Sequence, residues 1–120
     1  MNQEQKRRLR EGGVDVDGAL ERLMGSEALL EKLLDKFVRD ETYPALEQAI
    51  AGEDWEGALR ASHTLKGMCG NLSMTVLYGL FTRQVDAIRA GDRGEAAELM
   101  KAIAPAYRAV CRAAAGGGEE

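Results

Sequence analysis

The chain contains one histidine, His63, and the residue types around it suit nucleophilic chemistry. Imidazole is the side chain that ordinarily titrates nearest neutral pH, so an exposed ring can attack an electrophile under physiological conditions. Lys66 follows at i+3, close enough on a helix for its side chain to swing toward the ring. An ammonium there could neutralise an anionic group, such as a phosphoryl, attached to the imidazole. Gly67 and Gly70 stand beside the pair, and a glycine in an exposed helix interior costs about 1 kcal/mol relative to alanine. Two of them within one turn leave a bald strip of backbone, over which another protein could reach the imidazole without meeting side chains. Blander readings fit the same residues: a solvated surface histidine, glycines that serve close helix packing, and a solvated lysine.

A helix must position these groups, and the segment Asp54–Leu72, DWEGALRASHTLKGMCGNL, has the pattern of one. At about 100° per residue, Trp55, Ala58, Ala61, Leu65, Met68, Cys69 and Leu72 fall in one broad arc that must face the core. His63 lies roughly 150° from the centre of that arc and is predicted to point outward. Glu56, Leu59 and Arg60 precede it on the same face, and Lys66, Gly67 and Gly70 follow.

The rest of the chain reads as helices separated by caps. A short helix near Asp17–Met24 ends at Gly25. Ser26 caps the next, whose stripe is Leu29, Leu30, Leu33, Leu34, Phe37 and Val38. Pro44 predicts a kink or restart before Leu46, Ala49 and Ile50 continue the stripe to Gly52. Asp54 caps the histidine helix, and Ser73 is expected to cap another carrying Val76, Leu77, Leu80, Phe81, Val85 and Ile88. Asp92 with Glu95 forms an acidic variant of the capping box, opening a last helix through Cys111 that Pro105 should bend. Short connections between long amphipathic helices predict an all-α, up-down antiparallel four-helix bundle with a short additional N-terminal helix. Residues 1–13 are expected to be a flexible N-terminal segment, 14–115 the bundle domain, and 116–120 a disordered tail.

Composition narrows the function. With 120 residues, 45% hydrophobic and 30% charged, the chain has the profile of one globular domain. Aromatic residues are only 5%, so aliphatic side chains, alanine and methionine must fill the core. The formal net charge of −4 argues against nucleic acid as the main partner. No apolar stretch is long enough to span a bilayer, and MNQEQKRRLREGG lacks the apolar centre of a secretory signal. Cys69 and Cys111 are too few and too far apart for a disulfide framework or a zinc site, and read as free thiols in a reducing cytoplasm. No phosphate-binding loop of the Walker type and no acidic metal cluster occurs, so neither ATP binding nor a resident metal or other cofactor is expected. One histidine with distant cysteines cannot supply a metal's ligand set.

The run ASHTLKGMCGNL at 61–72 resembles the signature of the histidine phosphotransfer (HPt) family, His-x-x-Lys-Gly followed by small residues and an apolar position. DVDGALERLMGSEALLEKLLDKFVRD is similar to the family's lead-in, GEDWEGALRASHTLKG to the approach to its active helix, and AIRAGD to the exit from the next one. The likeness covers most of residues 14–92. It implies that His63 is the phosphoacceptor, that Lys66 steadies the phosphoryl group, and that Gly67 and Gly70 leave the imidazole open. Family members often place a glutamine or glutamate from the following helix against the histidine. The aligned position here is Val85, with Gln84 one step earlier as a candidate for that supporting contact. Ser73 stands where glycine is common.

The resemblance implies a carrier rather than an enzyme. The phosphoryl group would come from an aspartate of a receiver domain, or from a kinase, and pass to a response-regulator receiver. Partners would be those receivers and a hybrid sensor histidine kinase, with this chain a cytoplasmic monomer. Most of the transfer apparatus, including magnesium, would sit on the receiver. Docking would use the face around His63, with Leu59 as an apolar contact and Arg60 as a charged one. A helical adaptor that binds signalling partners through the same face without phosphorylation is the competing expectation.

Overall fold

The computed structural model describes residues 1–116, and all regular structure among them is helical. In chain order the helices are α1 (Gln3–Gly12), α2 (Val16–Arg22), α3 (Glu27–Arg39), α4 (Thr42–Ala51), α5 (Trp55–Asn71), α6 (Thr75–Arg89), α7 (Arg93–Glu98) and α8 (Met100–Gly116). The helix α5 lies between α4 and α6, while α8 packs on α1, α3 and α6. The interior is mostly aliphatic, with Leu30, Leu46, Leu65, Leu77 and Ile103 fully enclosed together with Met74, but its largest buried side chains are the aromatic Phe37 and Phe81. None of the described helices is long and apolar enough to cross a membrane.

Local chemistry explains most of the helix starts. The side chains of Ser26, Asp54 and Asp92 accept from the amides of Leu29, Gly57 and Glu95 at 3.1, 3.0 and 3.1 Å. Each satisfies an amide that the first turn leaves without a helical partner. Between α3 and α4, Asp40 accepts from the Thr42 amide at 2.8 Å. Pro44 then sits in the first turn of α4, where its missing N–H removes no helical bond, so the expected restart occurs just before it.

Four expectations are corrected. Residues 1–13 are not a loose segment: Asn2 and Gln5 form a reciprocal capping box, and Gly13 closes α1 in the left-handed conformation. Leu9 is buried, and Gly12 sits so near α8 that an added Cβ would come within 2.5 Å of the Ala113 Cβ. Two helices, not one, therefore precede α3. Ser73 does not cap α6; it ends α5 with φ +54°. Its amide donates to Gly70 and that of Met74 to Cys69, the paired bonds of a Schellman close, which explains why glycine suits this position. Finally, the last helix breaks at Leu99, upstream of Pro105, where the amides of Ala102 and Ile103 share the Leu99 carbonyl and the Leu99 side chain is buried. The tail expected at 116–120 lies, beyond Gly116, outside the described residues.

Candidate functional site

The capped start of α5 and the Schellman close at its end bound the helix that carries the candidate residues, and its packing between α4 and α6 sets its rotation. Ala58, Ala61, Leu65 and Cys69 are buried, Trp55 and Met68 half-buried, and His63 is exposed on the opposite side. The angular pattern of α5 alone was enough to find this. On the buried face, desolvation pushes the Cys69 thiol up to about 12, so it stays neutral and takes no part in surface chemistry.

Ser62, next to the histidine, is also fully buried. Its hydroxyl donates to Gln84 Oε1 at 2.8 Å, and Gln84 Nε2 donates to the Ala96 carbonyl at 2.9 Å and contacts Met100 Sδ at 3.2 Å. Both ends of the Gln84 amide are thus engaged inside the fold. Gln84, on α6, ties that helix to α5 through Ser62, to α7 through Ala96 and to α8 through Met100, and does not serve as a partner of His63. Val85, at the position aligned with the family's glutamine, is buried too.

Of the other predicted residues, Leu59 and Arg60 line a hollow beside the ring, Gly67 and Gly70 line a second one farther along α5, and Lys66 lines neither. A cavity of about 330 Å³ is lined by Leu59, Arg60, His63, Thr64 and Arg89. Arg89, the last residue of α6, is the functional candidate that inspection of the histidine helix missed. The signal for it was the hairpin itself, since an antiparallel α6 returns its C-terminal end to the early turns of α5. The second hollow, about 700 Å³, lies between α2 and the α5–α6 turn and is lined in part by Asp15, Glu21, Arg22, Gly67, Gly70 and Tyr78.

Lys66 lies along α5 toward the second hollow, with its ammonium 5.9 Å from the centre of the Tyr78 ring, a cation–π approach. The two glycines are not equivalent. A Cβ on Gly67 would meet nothing within 4 Å, so the expected bare strip exists there. A Cβ on Gly70 would stand 3.1 Å and 3.2 Å from two ring carbons of Tyr78, so the aromatic ring already occupies the space beside Gly70. Tyr78 and Val76 are themselves among the exposed large apolar side chains. No cluster of histidine, cysteine and carboxylate residues suited to a metal ion occurs among the described residues.

The arrangement offers an exposed imidazole with cationic side chains on both sides, open backbone at Gly67, and an apolar ring at the edge of the open strip. A model of the Hpt domain family matches residues 32–113, which contain all of α4 to α7 and every candidate site residue. No curated protein matches the chain. No solved structure matches it either.

Proposed function

The chain belongs to the Hpt domain family, and from that premise we propose that His63 carries a phosphoryl group between a receiver-domain aspartate, or a kinase, and a response-regulator receiver. Family membership brings phosphotransfer in two-component signalling; the acceptor residue, its helpers and the direction of transfer are our own reading. The observation that carries it is the outward placement of the only histidine, followed by Lys66 and an unobstructed Gly67, inside the family-matched region.

In the transfer, the unprotonated imidazole nitrogen attacks phosphorus and the P–O bond to the aspartyl carboxylate breaks. The carboxylate leaves, and the ring keeps its proton on the other nitrogen. Return transfer runs the same steps backward on a second receiver. Lys66 approaches the phosphoryl oxygens when its side chain leaves Tyr78. Leu59, Arg60, Gly67 and Gly70 lie along the docking face, with Tyr78 supplying the contact surface that Gly70 leaves room for. Magnesium and the aspartate belong to the receiver, so this chain acts as carrier and substrate rather than as a catalyst. We place it in the cytoplasm as a monomer. The helices form an up-down antiparallel four-helix bundle whose arms are α3–α4, α5, α6 and α7–α8; the packing of α5 between α4 and α6, and of α8 on α6 and α3, supports that arrangement.

Incubation with a receiver domain carrying radiolabelled phosphoaspartate tests the function. Label is expected on the wild-type chain, stable to alkali and labile to acid as a phosphohistidine is, and absent from His63→Gln. Equal labelling of wild type and His63→Gln would overturn the assignment. A complex that forms without transfer would favour the adaptor instead.

A further inference from the structure

We propose that Arg60 and Arg89 form a cradle that holds the phosphoryl oxygens on His63 between transfers, with Lys66 in the lesser role while the protein is free. The inference rests on His63 being the phosphoacceptor and adds which cations serve it. Arg60 precedes His63 by three residues on α5, so it lies on the same face one turn earlier. Arg89 comes from a different helix, and the cavity it lines with Arg60, His63, Leu59 and Thr64 contains no carboxylate.

Several surface arginines are committed to carboxylates, and these two are among those that are not, while sharing the hollow with His63. Arg83, also on α6, is paired with Glu95 at 3.1 Å, and Arg7, Arg10 and Arg39 likewise face carboxylates. Among the described residues, neither Arg60 nor Arg89 is in an ion pair. Two unpaired guanidiniums sharing one hollow repel each other, and a tetrahedral dianion between them relieves that repulsion. A planar fork of N–H donors also suits phosphoryl oxygens better than a single ammonium does. The Thr64 hydroxyl adds a neutral donor to the same cavity. Lys66 lies outside this cavity, with its charge over Tyr78.

Phosphoramidate tests the cradle without any receiver. The imidazole nitrogen attacks its phosphorus, the P–N bond breaks, and ammonia leaves, giving the same phosphohistidine. Phosphorus NMR then follows the second ionisation of the phosphoryl group in wild type, Arg60→Ala, Arg89→Ala, the double variant and Lys66→Ala. A unit charge held about 6 Å away in a water-like medium shifts that ionisation by roughly half a pH unit. A rise of this size is therefore expected for each arginine removed, the two adding in the double variant, with a smaller rise for Lys66→Ala. Circular dichroism and unchanged phosphorus shifts at the fully protonated limit separate this from loss of fold.

If the double variant titrates as wild type does, or if Lys66→Ala produces the largest rise, the cradle is wrong. Failure of phosphoramidate to label His63 would overturn it as well. Labelling by phosphoramidate with the expected titration, but none from any phosphorylated receiver, would sink the relay while sustaining the cradle.

Discussion

Replacing Gly67 should make the protein more stable and a worse phosphotransfer partner, and the two effects can be measured on the same variants. Gly67 lies in the interior of α5 and is exposed, with nothing within 4 Å of where a Cβ would sit. Alanine there gains about 1 kcal/mol of helix propensity, in part because the unfolded chain loses freedom. For 120 residues, an unfolding entropy near 2.1 cal/mol/K per residue totals about 0.25 kcal/mol/K, so Tm should rise by about 4 °C. Gly70→Ala starts from the same propensity gain, but its Cβ meets the Tyr78 ring at 3.1 Å and 3.2 Å. Its rise in Tm should therefore be smaller. The effect on transfer runs the other way. Bulk inserted into a fitted contact costs about 1–3 kcal/mol, equivalent to roughly 5- to 150-fold in kcat/KM for transfer from a phosphorylated receiver. A series Gly67→Ala, Gly67→Ser and Gly67→Leu, read by thermal melts and by rapid-quench transfer assays, should show transfer falling with side-chain size while each fold stays intact. Transfer by Gly67→Leu at the wild-type rate would refute the docking role of the bare strip. A lower Tm for Gly67→Ala would refute the premise that the space beside it is empty.

The remaining predictions concern the buried side of the same helix. Gln84→Leu strands the Ser62 hydroxyl and the Ala96 carbonyl, and the loss of stability should be about 2–4 kcal/mol in urea unfolding. Ser62→Ala alone should cost about 1–2 kcal/mol, and the double variant should fall short of the sum because the two residues share one bond. Additive losses would show that the Ser62–Gln84 bond contributes nothing of its own. Burial raises both thiols and pushes Cys69 up to about 12, so both are kept neutral at pH 8. The fully enclosed Cys69 should resist iodoacetamide in the folded protein, and half-buried Cys111 should be modified first. Peptide mapping by mass spectrometry checks the order, and equal rates would mean that the core opens more readily than its packing implies.

Much of α5 is legible in the amino-acid sequence, because a helix repeats a local rule. The arc from Ala58 to Leu72 and the opposite placement of His63 follow from 3.6 residues per turn. The starts at Ser26, Asp54 and Asp92 follow from short side chains that reach only their own first turn. Ser73 shows where a local rule misleads, since serine is both a common helix cap and, as here, a tolerated left-handed residue. The helix α1 is hidden for a different reason. Its sequence is polar, and the burial of Leu9 and the close approach of Gly12 depend on α8, nearly a hundred residues away in the chain.

The sequence by itself determined that the chain is helical, that His63 faces outward, and that Lys66 and Gly67 accompany it on one helix. Only the tertiary structure decided which side chains meet there from other helices. It brought Arg89 into the hollow beside His63, laid Tyr78 over Gly70, drew Lys66 to that ring, and committed Gln84 to Ser62. The division has a physical cause. Spacing along one helix is set by backbone hydrogen bonds between near neighbours, whereas the register between helices is set by side-chain packing over the whole core. A phosphoryl group on His63 would be governed by that register as much as by the helix that carries it.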